Sequence, residues 1–129
     1  MKAEMIGTWD IRVTLRNCET GASLKTLRAL NTFACGGTLI ETGARATPKL
    51  SSLGHGTWRH IGGQNYSAVL RFLRFSKDGT IAEMQKITRH IELSDDGKEF
   101  ISSVSLEVFD ADDSLIRTNC ATETARRLE

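Results

Sequence analysis

The chain has 129 residues, of which 40% are hydrophobic and 26% are charged. Its 17 basic and 16 acidic residues give a formal net charge of +1, so it lacks the concentrated positive field that nucleic-acid binding needs. No apolar run approaches the roughly 20 residues of a membrane-spanning helix. We therefore expect no nucleic-acid partner and no membrane span, and the length predicts a single domain over residues 1–129.

The first predicted element is a half-buried β-strand. Residues 9–16 read Trp-Asp-Ile-Arg-Val-Thr-Leu-Arg, in which apolar and polar side chains alternate strictly. This period of two places Trp9 and the other apolar side chains on one face of a strand. The triplet Gly-Thr-Trp, which stands at 7–9, occurs again at 56–58, where another extended run begins. A glycine followed by an inward tryptophan is typical of the closed end of a small barrel.

Seven more strands follow, and each is bounded by turn-forming residues. The eight predicted strands cover 7–17, 27–35, 38–42, 58–61, 66–75, 80–93, 100–109 and 115 to near the C-terminus. Eight strands joined in sequence form an antiparallel meander, and this number suffices to close a barrel that is filled or holds one ligand. The sequence thus predicts an all-β fold, a closed eight-stranded antiparallel up-and-down barrel in which the first strand pairs with the last.

The up-and-down order of the strands also predicts at which end of the barrel each connection lies. Segments 17–27, 43–55, 76–79 and 110–113 share one end, and the tight turns share the other end with Trp9. We expect the mouth of the barrel at the first end and its floor at the second. Segment 43–55 is the candidate lid.

The fifth strand is apolar on both faces. Tyr66 and Phe72 share one face, whereas Val69, Leu73 and Phe75 share the other. A strand covered on both faces indicates a homodimer through 66–75, and simple surface hydrophobicity is the rival interpretation. The register of the preceding turn stays open, and a shift of one residue would exchange the two faces.

Cys18 follows the first strand and Cys120 lies in the last, the two strands that closure would make neighbours. A Cys18–Cys120 disulfide would therefore link the first and last strands across the barrel seam, the line along which these two strands pair. Two reduced thiols in a cytoplasmic protein are the alternative. No signal-peptide pattern is visible at the start, so we expect the mature part of a secreted or periplasmic protein. A cytoplasmic location is the alternative.

The titratable residues show no motif for metal binding or catalysis. His55 and His60 lie on opposite faces of a regular strand, so no metal site and no cofactor are predicted. His90 has an ordinary surface environment in this interpretation. Glu41 and Glu83 occupy matched positions after two related hairpins, where cross-strand pairing with Lys or Arg is common.

The sequence resembles the calycin group, and within it the lipocalins, through Gly7 and Trp9 on the first strand and Arg126 or Arg127 on the last. In that family the arginine stacks over the tryptophan. The resemblance implies an eight-stranded barrel with an internal ligand site. The chain differs from fatty-acid-binding proteins, because 17–27 is too short for their helical lid, and from avidins, because it has only two tryptophans.

The resemblance, together with the lack of a catalytic motif, predicts a barrel that binds a small apolar or amphipathic molecule. The predicted ligand-binding residues are Trp58, His60, Tyr66, Leu70, Phe72 and Met84.

The alternative is a barrel enzyme of the cyclase or isomerase type, which acts mainly by shaping its substrate. Its first catalytic candidates are His60, Tyr66 and Glu107, although Glu107 also fits a solvated face. A filled barrel that acts only through its surface is a third, structural possibility.

Overall fold

The computed structural model describes residues 4–43 and 50–128, in which the eight strands form one closed barrel. The strands are β1 Gly7–Arg16, β2 Ser23–Ala34, β3 Thr38–Gly43, β4 Gly54–Gly62, β5 Asn65–Phe75, β6 Ile81–Leu93, β7 Glu99–Asp110 and β8 Leu115–Arg127. Each strand pairs antiparallel with the next, and β1 pairs with β8. The predicted all-β, closed up-and-down barrel is confirmed. Within the described ranges, no helix is long and apolar enough to cross a membrane.

Two strands begin earlier than their sequence pattern indicated. β2 starts at Ser23 rather than residue 27, because Lys25 pairs with Leu15 and Ser23 with Arg16 of β1. β4 starts at Gly54, which pairs with Glu41 of β3. Neither extension carries an alternating apolar pattern, so only the partner strand defines them. The connection after β1 is therefore shorter than 17–27. Residues 44–49 of the candidate lid 43–55 lie outside the described residues, and its last two residues belong to β4.

An aromatic cluster fills the end of the barrel where β1 begins. The rings of Trp9 and Phe100 lie 4.9 Å apart, and Phe33 stands edge-on to Phe100 at 6.3 Å. Trp58 extends the cluster, 6.0 Å from Phe33 and 6.0 Å from Tyr66. Trp9 and Phe33 are completely buried, so this end forms a solid floor.

Arg127 closes the floor from outside. Its guanidinium lies 4.3 Å from the ring centroid of Trp9, a cation–π distance. Gly7 has a φ of 136°, which favours glycine, and a Cβ there would approach Nη1 of Arg127 to 2.7 Å and push the guanidinium away from this position. Arg126 is exposed and points outward, so Arg127 takes the stacking position. The arrangement is consistent with a calycin-like fold.

Hydrogen bonds hold Arg127 and Trp9 in place. Arg127 donates through Nε to the Gly97 carbonyl at 3.0 Å and through Nη1 to the Ile6 carbonyl at 2.7 Å. The Trp9 indole Nε1 donates to the Met5 carbonyl at 3.0 Å. The segment before β1 is thereby tied across the floor.

β4 and β5 approach closely at Gly56. A Cβ at this position would lie 2.1 Å from the carbonyl oxygen of Val69 and 2.6 Å from the Cβ of Leu70. Only glycine therefore permits this strand spacing, and Leu70 is fully buried against it.

The structure resolves the open register of β5. Tyr66, Ala68, Leu70 and Phe72 face inward and are buried, whereas Val69 points outward and is half-buried. The homodimer through 66–75 stays a prediction.

Cys18 and Cys120 are joined by a disulfide, with their Cα atoms 5.2 Å apart across the β1–β8 seam. The bond links residues 102 positions apart in the sequence. Cys35, beside the hairpin between β2 and β3, is an exposed free thiol.

Candidate functional site

A cavity of about 250 Å³ lies in the half of the barrel opposite the floor. Apolar side chains form most of its wall: Val13, Leu15, Leu27, Ala29, Phe72, Ile87, Val104 and Leu106. Glu41 and Glu123 border it toward the middle of the barrel, and Lys25, Arg74, Gln85 and Asn119 border it toward the strand ends. Its position agrees with the mouth inferred from the longer connections. The cavity is thus an apolar space with carboxyl groups at its inner end.

A buried polar cluster separates this cavity from the aromatic floor. Arg89 of β6 extends across the interior, and its Nη1 donates to Asn31 Oδ1 at 2.5 Å. Its Nη2 donates to Glu41 Oε1, also at 2.5 Å, and Asn31 Nδ2 donates to the same oxygen at 2.9 Å. Glu41 and Asn31 are direct cross-strand neighbours on β3 and β2, which places both opposite Arg89. One guanidinium therefore ties β6 to the far side of the barrel.

The second carboxylate of the cluster belongs to β8. Glu123 Oε1 lies 3.1 Å from Arg89 Nε as an ion pair without hydrogen-bond alignment, and it accepts a hydrogen bond from Ser102 Oγ at 2.6 Å. Ser102 and Glu123 are cross-strand partners on β7 and β8. Glu123 is 3% exposed and Arg89 is 1% exposed, so solvent screens their interaction weakly.

Burial and the neighbouring charges together shift the pKa values of Arg89 and Glu123. Burial disfavours the charged form of Arg89, but the two carboxylates outweigh burial and hold its pKa above the usual value. Burial raises the pKa of Glu123, and the charge of Glu41 raises it further, although Arg89 and Ser102 oppose the change. Arg89 thus stays charged, and Glu123 takes up a proton more readily than an exposed glutamate.

Of the six predicted ligand-binding residues, only Phe72 lines the cavity. Trp58 and Tyr66 belong to the floor, where Trp58 Nε1 donates to the carbonyl of Thr38 at 3.0 Å. Leu70 is buried but is not part of the cavity wall. The predicted inward position of Met84 is wrong, because Met84 pairs with Leu73 and lies on the outer face of β6.

His60 is exposed at the floor end, where its Nε2 lies 2.6 Å from the Gly63 carbonyl oxygen. The interior position considered for it is therefore wrong, because His60 follows Trp58 on β4 and lies beyond the floor, outside the interior.

The three catalytic candidates do not form one site. His60 and Tyr66 have ring centroids 4.9 Å apart at the floor, whereas Glu107 lies on the outer face, 4.0 Å from Lys86. Burial raises the pKa of the Tyr66 hydroxyl, and the charge of Glu4 adds to this effect. None of the three lines the cavity, so an enzymatic interpretation has to rest on other residues.

Glu83 and His90 have structural partners. Glu83 lies 3.7 Å from Arg74 and 3.4 Å from Arg117, which agrees with the expected cross-strand pairing. His55 is exposed on β4, and His90 Nε2 lies 3.1 Å from Asn65 Oδ1. Among residues 4–43 and 50–128, no group of three or more His, Cys, Asp or Glu could hold a metal ion.

Sequence reasoning missed Arg89, Glu123, Asn31 and Ser102. A signal for them existed, because each is a polar residue at an inward position of an alternating strand. Arg89 lies between Ile87 and Ile91, for example. The pattern marks such a position only once the inward face is known.

Comparison with known proteins finds no matching family model, no matching curated protein and no matching solved structure.

Proposed function

We propose that the barrel binds a small apolar or amphipathic molecule in the cavity opposite its floor. The observation that carries this proposal is a cavity of about 250 Å³ that is lined mostly by apolar side chains of the barrel. Phe72 and Ile87 contribute to a wall that favours hydrocarbon, because transfer of apolar surface from water is favourable.

The size of the cavity limits the ligand. A dry cavity of about 150 Å³ holds benzene, so this one fits roughly ten non-hydrogen atoms. The Cys18–Cys120 disulfide favours an oxidising compartment, secreted or periplasmic, as the place of binding.

The test uses 1-octanol, a neutral amphiphile of matching size, with binding measured by isothermal titration calorimetry and native mass spectrometry. One molecule should bind per chain with a micromolar-range constant, roughly −8 kcal/mol. Val104→Phe should abolish binding, because Val104 lines the cavity and the larger ring fills it.

Val69→Phe is the matched control, because Val69 points outward from β5. It should leave octanol binding unchanged. Failure of octanol to bind the wild-type protein, or equal loss of binding in both variants, would contradict the proposal.

A barrel enzyme is the second candidate, and Glu123 favours it. A buried carboxyl group with a raised pKa beside a cavity is suited to general acid–base chemistry. The experiment compares cell extracts incubated with wild-type protein and with Glu123→Gln by mass spectrometry. Conversion of a compound by the wild-type protein alone supports an enzyme, and retention of an unchanged compound supports a carrier.

A further inference from the structure

A row of apolar side chains runs across the outer face of the barrel near its mouth. Four of its members are direct cross-strand neighbours on consecutive strands: Leu73 of β5, Met84 of β6, Phe109 of β7 and Leu115 of β8. The fifth is Leu53, which lies beside β5 because Ser51 and His55 on either side of it both pair with β5. These five residues, the apolar row, therefore occupy neighbouring positions on one side of the barrel.

The side chains of the apolar row point away from the interior. Leu73 follows the inward residue Phe72, and Phe109 follows Val108, which is fully buried. None of the five lines the cavity. Leu53 is 47% exposed and Leu115 is 52% exposed. Large apolar side chains at adjacent positions of a water-facing sheet surface mark an interaction site.

A row of charged side chains borders the apolar row on the side of the floor. Arg71, Lys86 and Glu107 are cross-strand neighbours on β5, β6 and β7, and all three point outward. Lys86 and Glu107 form an ion pair of 4.0 Å, and their side chains are 32% and 35% exposed. Arg71 is exposed and has no ion-pair partner in the part of the chain that the structure describes. The sign of the charge therefore changes from β5 to β7.

A twofold axis along β6 makes this surface complementary to itself. In a symmetric face-to-face dimer the axis lies in the plane of the interface, so the β5 side of one copy meets the β7 side of the other at the same height. Leu73 then faces Phe109 of the second copy, and Arg71 faces Glu107 of the second copy. Met84 lies at the axis and packs against its own equivalent. Lys86 also meets its equivalent near the axis, which is an unfavourable contact.

We propose that this outer face binds a second copy of the chain, with the apolar row at the centre of the interface and two Arg71–Glu107 pairs at its rim. The surface includes the outer face of β5, on which the sequence predicts a homodimer, but its centre lies on β6. It is separate from the cavity, so this inference goes beyond the proposed binding function and does not depend on it.

The dimer should be weak. Its apolar centre is small, and the Lys86 side chains repel each other at the axis, so we expect a dissociation constant on the order of tens of micromolar. Well below that concentration the protein is mainly a monomer.

A membrane surface is the rival occupant of this face. Attraction to anionic lipid needs a surface of uniform positive charge, and Glu107 interrupts the charged row. The change of sign between Arg71 and Glu107 instead matches a second copy turned about the axis.

The first test is sedimentation velocity over roughly a hundredfold range of protein concentration around the expected dissociation constant. The wild-type protein should show a reversible equilibrium between monomer and dimer. Met84→Glu should abolish the dimer, because it places two acids together at the axis. Ile101→Glu is the matched control and should keep the dimer, because Ile101 is 56% exposed on the outer face but lies in the floor half of β7.

Wild-type protein that stays monomeric at every concentration would overturn the proposal, as would equal loss of the dimer in both variants. Flotation with vesicles of phosphatidylcholine and phosphatidylglycerol separates the rival. Protein that stays monomeric and floats with the vesicles through Met84 would assign this face to a membrane instead.

The second test exchanges the charges at the rim. Arg71→Glu and Glu107→Arg should each weaken the dimer by about tenfold or more, because each places two like-charged pairs across the interface. An equimolar mixture of the two variants should restore the dimer, because the new acid of one variant faces the new base of the other. Both variants should keep the wild-type melting temperature when dilute. A mixture of folded variants that stays as monomeric as each variant alone would overturn the proposed arrangement.

Discussion

At the scale of single residues, Arg89 links the core of the barrel to its cavity. It is fully buried, and its partners are hydrogen-bonded side chains on β2, β3 and β8. Breaking a buried ion pair by removing one partner typically costs about 3–5 kcal/mol, because an uncompensated charge is left behind. The cluster therefore contributes to a single arrangement of the interior as well as to the chemistry of the cavity.

Glu123→Gln should change how stability depends on pH. The folded-state pKa of Glu123 is raised above its ordinary value of 4.5, so the folded protein holds this proton to higher pH than the unfolded chain does. The stability that this proton contributes is present below about pH 4.5 and is lost as the pH rises through the folded-state pKa. The free energy of unfolding of the wild-type protein should thus fall relative to that of the variant as the pH rises from 4.5.

Chemical denaturation from pH 4 to 8 measures this difference. Glu107→Gln is the control, because Glu107 lies on the outer face beside Lys86 and should follow the wild-type profile. Parallel profiles for wild-type protein and Glu123→Gln would show that Glu123 has an ordinary pKa.

Trp9→Ala should lower the free energy of unfolding by about 3–5 kcal/mol, as truncation of a large aromatic side chain in a core does. Trp9 is fully buried, contacts Phe100 and lies beneath Arg127, so its removal opens a hole in the floor. Urea denaturation measures the change. Leu24→Ala, at a position that is 65% exposed, should change stability by less than about 0.5 kcal/mol. A similar loss in both variants would contradict the role of Trp9.

At the scale of elements, the seam between β1 and β8 joins the two ends of the meander. Trp9 pairs with Arg127 at one end of this seam, and Arg16 pairs with Cys120 at the other. The cation–π contact and the disulfide therefore lie at opposite ends of the same strand pair. Both reinforce the pairing with the longest sequence separation, which carries the largest entropic cost of closure.

Replacing Cys18 and Cys120 by serine should lower the free energy of unfolding by about 2–5 kcal/mol, because the bond restricts a long loop in the unfolded chain. Thermal and urea denaturation without reductant measure the loss. Cys35→Ser should have little effect, since Cys35 is exposed and unbonded. Thiol titration of the denatured wild-type protein should find one free thiol, and finding three would contradict the bond.

At the scale of the whole molecule, closure makes every strand depend on two neighbours. β5 pairs with β4 and β6, and β8 pairs with β7 and β1, so the described sheet has no free edge. Both tryptophans lie in the floor, whereas the strands run the full height of the barrel.

Unfolding should therefore be one cooperative transition. Tryptophan fluorescence, which reports the floor, and far-ultraviolet circular dichroism, which reports all strands, should give the same midpoint in urea. Separate midpoints would show that the floor and the cavity half unfold independently.

The sequence by itself determined the class of fold and which end of the barrel is closed. Strict alternation in 9–16, turn residues between strands and Gly-Thr-Trp at 7–9 sufficed, because strand periodicity and turn chemistry are local properties. The same local patterns predicted which end carries the cavity and which end carries Trp9. They also placed Cys18 and Cys120 on strands that closure would make adjacent.

Only the tertiary structure decided which side chains form the site. The inward face of β6 and the position of His60 along β4 follow from pairing with neighbouring strands, so Met84 was predicted on the wrong face and His60 at the wrong height. Arg89, Asn31, Glu41 and Glu123 are far apart in the chain, and each one alone resembles an ordinary polar residue of a strand. Their partnership arises from barrel closure, because closure brings inward positions of four strands to the same height across a narrow interior.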